Sequence, residues 1–133
     1  MIELKNVSKE YVKNKKAVSN LNLTINDGEI FGFLGLNGAG KTTTIKMITG
    51  ILEITEGDIL LDNKSILTNS LEAKKTFGYV PDNPDMFLKL KGIEYLNFMA
   101  DIFKIPEEAK KERIKELSEK FEMYEHLNWK KEY

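Results

Sequence analysis

Cysteine is absent, which excludes disulfides and thiolate metal sites and is compatible with the cytosol. No apolar run approaches the ~18 residues of a membrane span. The opening Met1-Ile2-Glu3-Leu4-Lys5 has no long apolar core and does not read as a signal peptide. An excess of charge is also lacking. Lys and Arg number 20 and Asp and Glu 21, a net charge of −1, so nothing electrostatic draws the chain to nucleic acid or anionic membrane. If a membrane matters, it acts through a partner. Internal repeats and low-complexity segments are missing too. What is present is ordinary for one compact domain: 133 residues, 41% hydrophobic and 31% charged.

One stretch stands apart. Gly35-Leu36-Asn37-Gly38-Ala39-Gly40-Lys41-Thr42 fits G-x-x-x-x-G-K-[ST], the phosphate-binding loop or Walker A pattern. Gly35, Gly38 and Gly40 lack a Cβ, so the backbone there can take positive φ and approach an anion closely. Successive N–H groups then form a nest for phosphate oxygens. A helix opening at Lys41 turns its positive end on the same anion. Lys41 reaches the terminal phosphates as a point charge, and the Thr42 hydroxyl is placed to ligate Mg²⁺. The surroundings agree. Ile30-Phe31-Gly32-Phe33-Leu34 reads as a buried strand before the loop. Thr43 to Thr49 reads as a helix with Ile45 and Ile48 on one face, stopped at Gly50.

Along the chain, Ile2–Val12 reads as a strand, bent around Asn6 and Ser8. Lys13-Asn14-Lys15-Lys16 is a polar turn, and Val18, Leu21, Leu23 and Ile25 line a half-buried strand. Asp27-Gly28 is a turn signal. After the loop, Asp58–Asp62 is a strand, Asn63-Lys64 a turn, residues 69–75 a short helix, and Thr76–Val80 a strand stopped by Pro81. Two helices follow. Ile93, Leu96, Met99 or Ala100, and Phe103 share a face of the first. Pro106 opens the second, with Glu107 and Glu108 near its positive end and an apolar stripe of Ile114, Leu117, Phe121 and Tyr124. Its other residues form a solvated face of alternating charge. The fold class expected is α/β: a P-loop core sheet, an N-terminal antiparallel β-subdomain and the beginning of a helical subdomain.

Several stretches resemble the ATP-binding subunits of ABC transporters. They are Gly38-Ala39-Gly40-Lys41-Thr42-Thr43-Thr44, Gly57-Asp58-Ile59-Leu60-Leu61-Asp62, Phe77-Gly78-Tyr79-Val80-Pro81 and the segment Leu90–Phe103. The resemblance runs the length of the chain. It implies a β-subdomain with P-loop core over residues 1–80, a Q-loop region over 81–89 and the start of a helical subdomain over 90–133. It also implies Mg-ATP as ligand, a membrane-spanning subunit and a second ATP-binding subunit as partners, and a cytoplasmic place at the membrane through that subunit. By position, Tyr11 stacks on adenine and Val18 flanks it. Gly35, Leu36, Asn37, Gly38, Ala39, Gly40, Lys41, Thr42 and Thr43 hold the phosphates, and Thr42 and Asp82 serve the metal.

The sequence departs from the pattern in two places. Asp82 stands where the family often has Gln; a carboxylate can bind Mg²⁺ but cannot donate a hydrogen bond when ionised. With Thr42-Thr43-Thr44-Ile45-Lys46 it leans toward export-type members. Secondly, the family's Ser-Gly-Gly signature, Walker B strand ending Asp-Glu and switch histidine do not occur in these residues. Ile59-Leu60-Leu61-Asp62 is followed by Asn63 and is a decoy; His126, the only histidine, is a surface residue. Asn128 to Tyr133 looks like the lead-in to the signature. The expectation is therefore the N-terminal half of such a domain, binding Mg-nucleotide with negligible hydrolysis and prone to self-association through residues 114–124. A GTPase or small-molecule kinase is the competing enzyme class. Asp62-Asn63-Lys64-Ser65 lacks the last Asp of a guanine-reading motif, and a single arginine, Arg113, is too few for a lid. The other alternative is a non-catalytic fragment that pairs with a membrane subunit or an intact ATPase.

Overall fold

A computed structural model describes residues 1–81 and 90–128. The chain divides into two units, Met1–Val80 and Pro81–Tyr133.

The first unit is built on β1 (Ile2–Val12) and β2 (Lys15–Ile25), an antiparallel pair, with β3 (Glu56–Leu61) on the other side of β1 and the short β4 (Lys64–Ser65) beyond it. The order is β2-β1-β3-β4. Leu4 faces Leu23 on one side and Ile59 on the other, which aligns the apolar faces of three strands. The expected bend is real. Alternation from Ile2 and Leu4 would next turn Asn6 inward, but Asn6 takes φ 51°, the register shifts, and Val7 enters the core instead. The Asn6 amide donates to Asn22 Oδ1 at 2.9 Å, so the irregular backbone stays satisfied. Opposite the bulge lies Gly57, at φ 87°. A Cβ there would sit 2.3 Å from the Lys5 carbonyl oxygen, so only glycine fits.

Helix α1 (Lys41–Ile48) and the short α2 (Ser70–Lys74) cover this sheet. The core is Leu4, Val7, Val18, Met47, Ile59, Leu61 and Ala73. Each larger side chain among them contributes about 1.5–3 kcal/mol by burial. The face of α1 differs from the one expected. Thr44 and Met47 are buried, while Ile45 is 40% exposed. Thr44 tolerates burial because its hydroxyl donates to the Gly40 carbonyl at 2.9 Å.

Two expected strands are not found. Residues 30–34 carry no ladder, and Ile30 and Leu34 are almost fully exposed. Residues 76–80 carry none either; Phe77 packs on the core but Val80 is exposed. Both runs have the composition of buried parallel strands, and such strands form only when a neighbour supplies the hydrogen bonds. Among the described residues no neighbour does. The decoy Asp62 has a structural use, accepting from the Met1 amine at 2.6 Å.

In the second unit, α3 (Gly92–Ile102) and α4 (Glu107–Lys120) are followed by a short 3₁₀ turn at Tyr124–His126. The Lys91 amide donates to Glu94 Oε2 at 2.8 Å and caps α3. The Ile93 amide donates to the Leu127 carbonyl at 2.9 Å, tying the end of this segment to its start. Pro106 is the residue just before α4 rather than its first helical one. The stripe of α4 is open: Leu117, Phe121 and Tyr124 are each about half exposed or more.

Candidate functional site: the phosphate loop

The loop is clamped by its own lysine and by β2. Lys41 Nζ donates to the Gly35 carbonyl at 2.5 Å and the Leu36 carbonyl at 2.8 Å. The Ala39 amide donates to the Leu36 carbonyl at 3.1 Å and closes a turn. Gly38 and Gly40 take φ 84° and 89°, as expected, whereas Gly35 does not have positive φ. Gly35 instead offers its carbonyl to Lys41, and a Cβ on it would meet nothing closer than 3.5 Å. Gly40 is the position that cannot change. A Cβ there would lie 2.8 Å from the Ala17 carbonyl oxygen and 3.1 Å from Val18 Cγ2. Strand β2 thus backs the start of α1.

The first intrahelical bond runs from the Thr44 amide to the Gly40 carbonyl, 2.8 Å. The amides of Lys41, Thr42 and Thr43 precede it and open from the helix start. The same three residues line a cavity of about 210 Å³ together with Ala17, Asn37, Gly38 and Gly40. None of these is acidic, and the first turn of α1 carries no acid. Backbone amides, a helix dipole and a lysine converge there with no opposing charge, the electrostatics of an anion site.

Tyr11 comes to this loop from β1. Its hydroxyl lies 3.3 Å from Thr43 Oγ1, and the ring is 58% exposed. Val18 is buried beneath Gly40, and its neighbour Ala17 is the β2 residue on the cavity wall. Ala17 was missed because alternation along β2 draws attention to Val18. Leu36, one of the loop residues expected to hold phosphate, takes part through its carbonyl while its side chain is exposed. Asp82 lies outside the described residues. Among the described residues no cluster of three His, Cys, Asp or Glu side chains could hold a metal by itself. Of the described cavities, the two largest lie in the second unit. One of about 590 Å³ between α3 and α4 is mainly apolar, with Lys110, Arg113 and Ser118 as the polar members of its lining.

Residues 18–132 match the ABC transporter family model. The chain belongs to the ABC transporter family. The chain is 40% identical over 119 residues to the uncharacterized ABC transporter ATP-binding protein YhcH of Bacillus subtilis (strain 168), covering 90% of this chain and 38% of that one. It is 40% identical over 129 residues to the lipopolysaccharide export system ATP-binding protein LptB of Escherichia coli (strain K12), covering 92% and 52%. Among solved structures, an ATP-binding subunit of an ABC transporter superposes with a TM-score of 0.88 at 27% identity, covering 98% of this chain and 54% of that one. The dimeric bacterial ABC transporter cassette MJ0796 gives 0.80 at 30% identity, covering 98% and 61%. The chain thus spans about a third to three-fifths of the length of these relatives. The α/β fold expected from the sequence is the ABC ATP-binding fold. No helix among the described residues is long and apolar enough to cross a membrane.

Proposed function

We propose that this ABC chain binds Mg-ATP on Gly35–Thr43 and serves as the nucleotide-binding portion of an ATPase that powers transport. The observation that carries this reading is the convergence of Lys41 and the open amides of α1 on one cavity without acids. Lys41 exchanges its bonds to the Gly35 and Leu36 carbonyls for phosphate oxygens, at little cost because both sets of partners are oxygen acceptors. Asn37, Gly38, Ala39 and Gly40 form the cradle, Thr43 steadies the α-phosphate side, and Tyr11 offers its exposed face to the base. Val18 supports the base end through Gly40. A structure of MJ0796 bound to ADP and phosphate has the same fold, with a TM-score of 0.80.

The residues suit Mg²⁺. Thr42 lines the cavity with a neutral hydroxyl, and such an ion completes its shell with phosphate oxygens and water rather than an all-protein cage. Asp82 is the second protein group proposed for it. The metal supplies charge neutralisation on the phosphates. Residues 1–80 form the β-subdomain and P-loop core, 81–89 the Q-loop region and 90–133 the start of the helical subdomain. The partners are a membrane-spanning subunit and a second ATP-binding subunit, at the cytoplasmic face of the membrane. The role proposed for residues 1–133 is nucleotide binding.

Titration calorimetry with Mg-ATP tests the reading. Lys41→Ala is expected to weaken binding at least about tenfold, from the loss of charge-assisted hydrogen bonds. Equal affinity in both chains would show it to be wrong.

A further inference from the structure

The Tyr11 ring is held by a residue that no motif contains. The Lys9 ammonium lies 5.5 Å from the ring centroid, within cation–π range. The same ammonium donates to the Glu53 carbonyl at 2.6 Å, in the connection between α1 and β3. Lys9 is half-buried and takes one face of the ring, while Tyr11 is 58% exposed and so keeps surface open to a ligand. At its far end the ring is fixed again, by the hydroxyl contact to Thr43 at 3.3 Å.

We propose that Lys9 is a positioning residue that sets how strongly Tyr11 stacks on a nucleobase. The proposal rests on the reading of the loop as a nucleotide site. Two physical effects act together. A cation pinned over one face draws π density toward itself, which leaves the other face better suited to an electron-rich purine. The bond to Glu53 also keeps the ammonium, and hence the ring, in one place before the base arrives, so less ordering entropy is lost on binding. Both effects act on the base and neither acts on the phosphates. Adenine and guanine feel them alike, because any purine has a π-face.

The test compares Mg-ATP with Mg-tripolyphosphate, which has no base, on the whole 133-residue chain by titration calorimetry. Lys9→Met should weaken ATP about two- to fivefold, the range of an exposed cation–π contact, and leave tripolyphosphate unchanged. Lys9→Arg should restore ATP affinity. In a Tyr11→Ala background, Lys9→Met should have no further effect, because the double-mutant cycle removes the shared partner. Equal weakening of both ligands, or a loss that persists without Tyr11, would assign Lys9 a purely structural role through Glu53 and overturn the proposal. So would a parent chain that binds tripolyphosphate as tightly as ATP, since stacking then contributes nothing. A parent chain that binds neither ligand removes the nucleotide reading itself. If Lys9→Met does not fold, Lys9→Gln, which keeps a donor without the charge, carries the same comparison.

Discussion

The two units of this chain are held together by different means. In the first, Leu4, Val7, Val18, Met47, Ile59, Leu61 and Ala73 form one apolar core on five elements, with Ser8 and Thr44 buried beside it. In the second the buried residues are Ala100, Lys110 and Ser118, among those described. Lys110 lies 3.0 Å from Asp101 and 2.6 Å from Glu107, so an ion cluster stands where a core would be expected. The Ser118 hydroxyl turns back on its own helix, donating to the Ile114 carbonyl at 2.5 Å. The difference teaches how each unit meets its needs. A three-stranded sheet with α1 and α2 packed on it buries one apolar face between layers. Two helices half-bury the stripe of α3, leave most of the stripe of α4 exposed, and rely on local caps and charge pairs.

The largest expected effect breaks the first unit. Ile59→Ala should cost about 4 kcal/mol, as for a fully buried Ile, and Leu117→Ala in the half-exposed stripe of α4 less than about 1. Hydrogen exchange read by segment checks both; similar losses would mean that the second unit has a core of its own. Next is Gly57→Ala, expected to cost about 3 kcal/mol, because positive φ and the approach of the Lys5 carbonyl both oppose a Cβ. A denaturant melt that leaves the midpoint unmoved would show that the bulge on β1 can relax.

The smallest effect is a pH step in the second unit that one substitution can remove. The bond from Lys110 holds the Glu107 carboxyl below its ordinary value, with a smaller contribution from Lys111. A lowered folded-state value means stability that is present above the ordinary glutamate range and lost as pH falls through the folded value. Lys110 is raised, by Glu107 first and then Asp101, so its share is complete at neutral pH and is lost only as pH climbs past the lysine range. Helical circular dichroism should therefore fall on acidification below about pH 4, and Glu107→Gln should flatten the step. The first unit has an acid response of its own, because Lys16 holds Glu56 and the Met1 amine holds Asp62 below their ordinary values. Glu107→Gln should therefore leave the loss of β-structure with acid unchanged; a β-signal that shifts with this substitution would merge the two units into one cooperative fold.

These contrasts explain what could be read beforehand. The strand at Ile2–Val12, the alternating run Val18 to Ile25, the helix after Gly40 and the two helices after Leu90 rest on local pattern, spacing and caps. The exposed apolar stripe of α4 was legible for the same reason. Lys15 and Lys16, read as part of the turn, instead join β2 by pairing with β1. Residues 30–34 and 76–80 were misread because apolar composition reports a tendency to be buried and does not supply a neighbour. Ile45 was favoured over Thr44 because hydropathy does not show that a hydroxyl will be satisfied by its own helix.

The amino-acid sequence by itself determined the loop. Gly38, Gly40, Lys41 and Thr42 are required at their spacing by the approach of a backbone to phosphate, a constraint that acts within eight residues. Tertiary structure alone decided what surrounds it. It set Ala17 against Gly40, the Tyr11 hydroxyl beside Thr43 and the Lys9 ammonium over the Tyr11 ring. It also left Ile30 and Leu34 exposed on the way into the loop. The first two contacts join residues far apart in the chain, brought together by the pairing of β1 with β2 and the packing of α1 on that sheet. Lys9 and Tyr11 are near neighbours on β1, and it is the distant Glu53 carbonyl that holds the ammonium in place.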